Sequence, residues 1–395
     1  MKISQIYQYP IKALRPSSTP SATITAQGFK YDRRYMLLHV QPDGSFKNVH
    51  VAHYPEATLF TTSMTEPAGD DDRGTITITY NPPQGNLNGK PDAPATLTIP
   101  LVPDMTGLKQ LEILMHRSPT RAYDMGPEYA TWFSKYFGFQ VVLAYLGPYG
   151  REVLMSLGPD RPVQKRDEQG NSATPAADSS TSWLSSITSS LPSVPLFGWL
   201  GGYLRSAWAG GATRVEPGSK AQHPDAADPE LTFADCAPYL VVSEKSLDEL
   251  SSRIPGDYQV DVTKFRPNII IEGCALPWDE DFWGELSFET DSSPSSMTLV
   301  HNCARCPSIN IDYKTGAPGK GNDGLVLKAM QKDRRVDKGA KWNPVFGRYG
   351  FTPKADTGKR VRVGGDVHVV RLKKSVREKT KGSRIIMPAQ LARNL

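Results

Sequence analysis

The chain has 395 residues, 38% hydrophobic and 22% charged, enough to bury a core through two to three domains' worth of length, which excludes a disordered chain and a coiled coil. Glycine and proline, 33 of each, exceed their usual share, so turns are many and at least one linker is loose. The formal charge of +5 would suit nucleic acid, but residues 373–395 alone carry seven Lys/Arg and one acidic residue, Glu378, a net +6 that leaves −1 for the rest. The basicity belongs to a solvated tail, and a nucleic-acid partner is not expected.

Residues 3–9 predict a strand that Pro10 stops. A second apolar run over 35–40 leads into the turn Gln41-Pro42-Asp43-Gly44. Residues 75–80 and 95–99 alternate with period two, and the Pro-, Gly- and Asn-rich stretch 81–94 between them reads as a loop. Tyr129, Trp132, Phe133, Tyr136 and Phe137 recur at helical spacing behind Pro127, predicting a helix that Gly138 ends. A strand follows over 140–145.

From 159 to 228 the composition turns to Ser, Pro, Ala, Gly and Asp, a long insertion with little reason to pack. Its segment 183–208 holds Trp183, Trp199 and Trp208 in a low-charge context. Such a segment suits peripheral contact with a membrane interface, or covers an apolar patch of the protein's own body. Pro192 and Pro195 break any single long helix there.

Residues 238–242 predict a strand and 243–253 a helix, with Ser243 at the N-cap, Ser246 at N3, and Leu247, Leu250 and Ile254 along one face. A buried strand is expected over 268–271, closed by Gly273, and further strands over 296–301 and 360–372. No repeat period is visible. The balance predicts a strand-rich α+β fold, barrel-like rather than alternating βαβ.

Cys236, Cys274, Cys303 and Cys306 are too few for a disulfide scaffold in so long a chain. The opening MKISQIYQYPIK lacks the apolar stretch of a secretion signal, and no uncharged apolar run reaches the ~18–20 residues that span a bilayer. An intracellular protein with free thiols is expected.

Three short tracts carry chemistry. In His301-Asn302-Cys303-Ala304-Arg305-Cys306-Pro307, the C-x-x-C pair is half of a zinc site, but no second pair supplies the remaining ligands. A thioredoxin-type pair needs a helix directly after it, which Pro307 and the strand-like Ile309-Asn310-Ile311 oppose. A single thiolate binding a soft metal, with Arg305 lowering its pKa, is the third reading. Spacing alone does not separate the three. In Phe265-Arg266-Pro267-Asn268, the arginine offers a planar fork for phosphate or carboxylate, or a surface ion pair. Lys12, in Tyr9-Pro10-Ile11-Lys12, and Arg33, in Asp32-Arg33-Arg34, either hold a polyanion or merely flank two strands.

Taken in order, the tracts resemble a known family. Residues 6–12 and 28–37 look like the N-terminal β-barrel domain that precedes MOSC domains. Phe233-Ala234-Asp235-Cys236-Ala237-Pro238-Tyr239-Leu240, then 265–269, then Cys303-Ala304-Arg305-Cys306, and finally 345–347 and 361–367, look like the MOSC domain itself. The division implied is a barrel-type domain over 1–158, the insertion over 159–228, a MOSC domain over 229–372 and the basic tail over 373–395. The resemblance is to the mitochondrial amidoxime-reducing components and their bacterial counterparts. It implies a molybdenum cofactor (molybdopterin) with Cys306 as the protein's ligand to the metal, Lys12, Arg33, Arg266 and Asn268 around the pterin and its phosphate, and Asp235 beside the metal. It implies reduction of N-hydroxylated compounds such as amidoximes and hydroxylamines, with electrons from a separate haem or flavin protein. A cofactor-binding or sulfur-carrier module without reductase turnover is the alternative. The sequence departs from the family at Ala13, often Ser, and at Cys236 and Ala237, where relatives carry Thr and Ser. The membrane anchor of animal relatives is not seen, so a cytoplasmic location is expected, with mitochondrial association as the other possibility.

Overall fold

Ile76, Ile78 and Tyr80 on the strand Thr75–Tyr80 have no exposed surface while the threonines between them point outward, as a two-residue period requires. In the computed structural model, which describes residues 1–69, 72–84, 91–153 and 230–373, this strand lies between Phe60–Thr65 and Ala95–Pro100 in an antiparallel sheet. A five-stranded antiparallel sheet runs in the order Gln110–Met115, Ser118–Asp124, Val141–Tyr145, Tyr35–Val40 and Phe46–Asn48. Its two edges come together, with Asn48 Nδ2 donating to Leu114 O at 3.3 Å. Both sheets contribute to one core, and together they form a nearly closed barrel. The helix Pro127–Phe137 packs Phe133, Tyr136 and Phe137 onto Phe60 and stops at Gly138, whose φ of 81° suits glycine.

The remaining large sheet has eight strands and is curled. Its order is Ser17–Thr19, Lys2–Gln8, Ile269–Glu272, Tyr239–Ser243, Val345–Phe351, Ser295–Ala304, Trp283–Phe288 and Val367–Leu372. Every pairing is antiparallel except Tyr239–Ser243 with Ile269–Glu272, which the helix Glu244–Ser252 connects, as a parallel pair needs a crossover. Those two strands are buried on both faces: Val241, Ile269 and Ile271 enter one core, Leu240, Val242 and Ile270 another. The first strand of the chain belongs to this sheet and not to the barrel. Gly347, at φ 76°, lets neighbouring strands close up, since a Cβ there would lie 2.6 Å from Val242 and 2.7 Å from the Val241 carbonyl.

The α+β, strand-rich expectation holds, and the runs at 35–40, 75–80 and 127–138 form the elements their periodicity predicts. Three details differ. The strand expected over 296–301 runs to Ala304 and takes in Cys303. The strand expected over 360–372 is two, Arg360–Arg362 and Val367–Leu372, because Gly364 turns the chain at φ 82°. Ser243 stands at the N-cap, but its hydroxyl makes no capping bond, and the Ser246 hydroxyl is used on Glu280.

Two compact units divide the chain, Met1–Met155 with Asp225–Leu395, and Ser156–Pro224. The described residues all lie in the first. The insertion 159–228 with its tryptophans, and the tail beyond 373, lie outside the described residues. Among the described residues, no helix is long and apolar enough to cross a membrane.

Candidate functional site

Ala13, Arg33 and Arg266 have left-handed backbones, with φ of 75°, 52° and 58°. This conformation costs a non-glycine residue of order 1 kcal/mol or more, and it gathers where function constrains the chain. Two of the three are themselves cations, and Ala13 directly follows a third, Lys12. The Tyr9 ring lies between two guanidinium groups, Arg33 at 4.6 Å and Arg266 at 4.4 Å from its centroid, a favourable use of the ring's negative faces. Arg33 bonds to Asp32, to Asn268 Oδ1 at 3.1 Å and to Arg266 O at 3.2 Å. Burial opposes its charge, but Asp32 and Tyr9 more than offset that and raise its pKa. Arg266 donates to Ala13 O at 3.3 Å and Leu14 O at 2.9 Å, and has no ion-pair partner among the described residues. Burial and the nearby Arg33 push its pKa down.

Asn268 works as a splice. Its Oδ1 accepts from Arg33 and, at 3.3 Å, from Leu240 N, while Nδ2 donates to Tyr7 O at 3.2 Å. It thereby joins the first strand to the two parallel ones and fixes the Arg33 fork.

Lys12 is buried and donates to Phe233 O at 3.1 Å and to Asp235 Oδ1. Burial lowers its pKa, and Asp235 opposes the shift. The same oxygen of Asp235 meets His116 Nε2 at 3.0 Å. Burial disfavours the carboxylate, but Lys12, the His116 hydrogen bond and His50 hold the carboxyl well below its usual range. Behind the pair lies Arg151, 1% exposed, whose guanidinium donates to Thr232 O at 2.9 Å, to Met115 O at 3.2 Å and to Ala234 O. It ties the segment that carries Asp235 to the hairpin that carries His116.

The two cysteines of the C-x-x-C pair part company. Cys303 is buried in its strand, 3.0 Å from the Tyr349 hydroxyl, and burial raises its pKa despite Arg305. Arg305 therefore does not activate that thiol; its guanidinium clamps Phe346 O and Phe265 O. Cys306 is half-buried, just ahead of the single 3-10 turn Pro307–Asn310, with its sulfur 3.0 Å from Ser308 Oγ. No α-helix starts after the pair, so the thioredoxin geometry is missing. Burial pushes Cys236 up to about 12 and Cys274 up to about 11.

One cavity of about 190 Å³ brings together Lys12, Arg33, Asp235, Arg266, Asn268 and Cys306. Five cationic side chains line it, these three with Lys264 and Arg305, against the single carboxylate of Asp235. Such a site favours an anion, with a soft sulfur donor at its wall. His50, also in the wall, was not legible from the sequence, nor were His116 and Arg151. They stand far along the chain from the motifs, and no spacing links them.

Fold and site together define a class: a nearly closed barrel joined to a curled sheet, with a cationic, cysteine-bearing cavity built from both. Residues 1–140 match the MOSC N-terminal beta barrel domain and residues 228–368 the MOSC domain, and the chain belongs to the MOSC-domain proteins that carry this N-terminal barrel. It is 31% identical over 142 residues to mitochondrial amidoxime-reducing component 1 of Homo sapiens, covering 36% of this chain and 39% of that protein. To mitochondrial amidoxime reducing component 2 of Bos taurus it is 31% identical over 121 residues, 30% and 34% of the two chains. To the molybdenum cofactor sulfurase of Oryza sativa subsp. japonica it is 30% identical over 113 residues, 27% of this chain and 13% of that one. The chain thus spans less than half the length of the curated relatives it matches.

Proposed function

We propose that the protein holds a molybdenum cofactor in this cavity and reduces N-hydroxylated compounds such as amidoximes and hydroxylamines. The observation that carries the reading is the cavity wall itself: five cationic side chains, of which Arg266 and Arg305 have no ion-pair partner among the described residues, with the Cys306 thiol beside them. The residues fit the group. Arg266 offers a half-buried guanidinium fork without a carboxylate, suited to phosphate. Among the described residues, no three His, Cys, Asp or Glu are placed to hold a metal ion, so a metal at Cys306 must bring its other ligands with it, as a pterin dithiolene does.

In this reading Lys12, Arg33 and Arg266 bind the pterin and its phosphate, Asn268 orients Arg33, and Cys306 supplies one thiolate. When bound, the cofactor supplies the two electrons that break the N–O bond. Between turnovers the Asp235 carboxylate fixes the Lys12 ammonium at the wall. The proposed electron source is a separate haem or flavin protein. Similarity to mitochondrial amidoxime-reducing components supports the reductase class.

Protein from a host that makes the cofactor should carry close to one molybdenum per chain and convert an amidoxime to its amidine with an added reductant. Cys306→Ala should lose most of the metal, while Cys303→Ala, whose thiol is buried against Tyr349, should keep it. Wild-type protein without molybdenum would sink the reading. The similarity to a molybdenum cofactor sulfurase favours a second reading, a cofactor-binding or sulfur-carrier module. Bound cofactor with no turnover on any N-hydroxylated compound would select it.

A further inference from the structure

Reduction of a hydroxylamine consumes protons as well as electrons: R–NH–OH + 2 e⁻ + 2 H⁺ → R–NH₂ + H₂O. The N–O bond breaks, and one N–H and one O–H bond form. Two of the cations lining this cavity, Arg266 and Arg305, have no carboxylate partner among the described residues, and such uncompensated charge disfavours an entering proton. An anionic way-point would lower that cost, and Asp235 is the sole Asp or Glu among the lining residues. His116 Nε2 sits on its Oδ1 at 3.0 Å. The side chains are 34% and 42% exposed, so the pair reaches from solvent to the cavity wall.

We propose that the His116–Asp235 pair is the proton entry of this site, His116 collecting protons from solvent and Asp235 passing them into the cavity. The proposal rests on the reductase reading above. A proton held at His116 Nε2 moves to Asp235, whose Oδ1 Lys12 also bonds and which its neighbours otherwise hold ionised, and so passes at once to the substrate nitrogen or departing oxygen. The carboxylate is then restored, and the ring is reloaded from water; two such passages balance one turnover.

Three features of the fold support it. His116 and Arg117 form the two-residue turn between Met115 and Ser118, both with positive φ, 52° and 66°. Asn-Gly is the usual occupant of such a turn, and a strained backbone that holds a side chain on a cavity-wall carboxylate is a mark of function. Arg151 bonds the base of this turn and the residues just before Asp235 with one guanidinium, so both partners are fixed from a common point. The other groups around Asp235 are unsuited to the task. His50 is pushed down to about 4 by burial and by neighbouring cations, and so holds no proton to give at neutral pH. Cys236 is pushed up to about 12 by burial and by Asp235, and Lys12 and Arg151 are committed as hydrogen-bonded cations.

The test compares full-length, cofactor-loaded wild type with His116→Gln, which keeps a donor for Asp235 but cannot shuttle a proton. Molybdenum and pterin per chain should be unchanged. With a chemical reductant, kcat at neutral pH should fall about tenfold or more, with KM little altered, and added imidazole should recover part of it. An unchanged rate would overturn the proposal alone. Loss of the cofactor would assign His116 a structural role and overturn it as well. Wild type that holds molybdenum but turns over no N-hydroxylated compound would overturn the reductase reading, and the proton path with it.

Discussion

Glu280 is buried without exposed surface on the 3-10 turn Asp279–Phe282, accepting from the Ser246 hydroxyl at 2.7 Å. Its neighbour Asp281 takes the Arg334 guanidinium in a two-pronged pair at 2.9 and 2.7 Å, so the nearest cation is already committed. Burial, and then the charge of Asp281, push Glu280 up to about 7. Between its unfolded value of roughly 4.3 and about 7, the folded chain keeps a proton that the unfolded chain has lost. Stability from this group is therefore whole below that window, declines as pH rises through it, and stays low above it. Glu280→Gln should remove this decline and stabilise the protein at pH 8 by about 1–3 kcal/mol, measured as denaturation midpoints at several pH values. A wild-type and mutant pair with parallel pH profiles would contradict it. The strongest residue-level signals in the sequence were those with neighbours of their own: Lys12 behind Tyr9-Pro10, Arg266 in Phe-Arg-Pro-Asn, Cys306 in C-x-R-C. Arg151 and His116 carried no such neighbourhood. Their partners are 81, 83 and 119 positions away, and only folding brings them together.

The hairpin Gln110–Met115 and Ser118–Asp124 shows why elements were unevenly legible. Leu111, Ile113 and Met115 alternate inward on the first strand, but its turn is His-Arg, without the Asn, Asp or Gly that marks a two-residue hairpin. In contrast, Thr75–Tyr80 pairs alternation with β-branched residues, and Pro127–Phe137 has Pro at its start and Gly just past its end. Gly364 and Gly365 lie inside an otherwise strand-like run, and the break they make between Arg362 and Val367 is what glycine at positive φ produces. The strain in the hairpin turn is measurable. Arg117→Gly should relieve a left-handed residue and raise stability by about 0.5–1 kcal/mol without disturbing the His116–Asp235 contact. A lower melting temperature in that variant would mean the Arg117 side chain contributes more than its backbone costs.

On the scale of the whole molecule, the two family-matched regions are not separable bodies. Lys2–Gln8 begins the chain, yet it fills a place in the eight-stranded sheet, pairing Ile6 with Ile269 and Ile3 with Ile271. Ile3 and Ile6 are fully buried in the core shared with Tyr239, Val241 and Trp283. Without this strand, Ile269–Glu272 becomes an exposed apolar edge, an arrangement that invites aggregation. The cavity repeats the dependence: Lys12 and Arg33 come from the N-terminal region, Asp235, Arg266 and Cys306 from the C-terminal one, and Asn268 bonds Arg33 and Tyr7 on one side and Leu240 on the other. A fragment covering 230–395 alone should therefore fail to give a cooperative, soluble fold. Co-expression with 1–153 should recover a stable complex, because the supplied strand restores the sheet and its buried isoleucines, each worth about 1.5–3 kcal/mol. Cofactor binding should return only with the complex, since neither fragment holds the full set of cations. A C-terminal fragment that unfolds cooperatively by itself would show that the crossing strand is dispensable, and that the cavity is assembled after folding rather than by it.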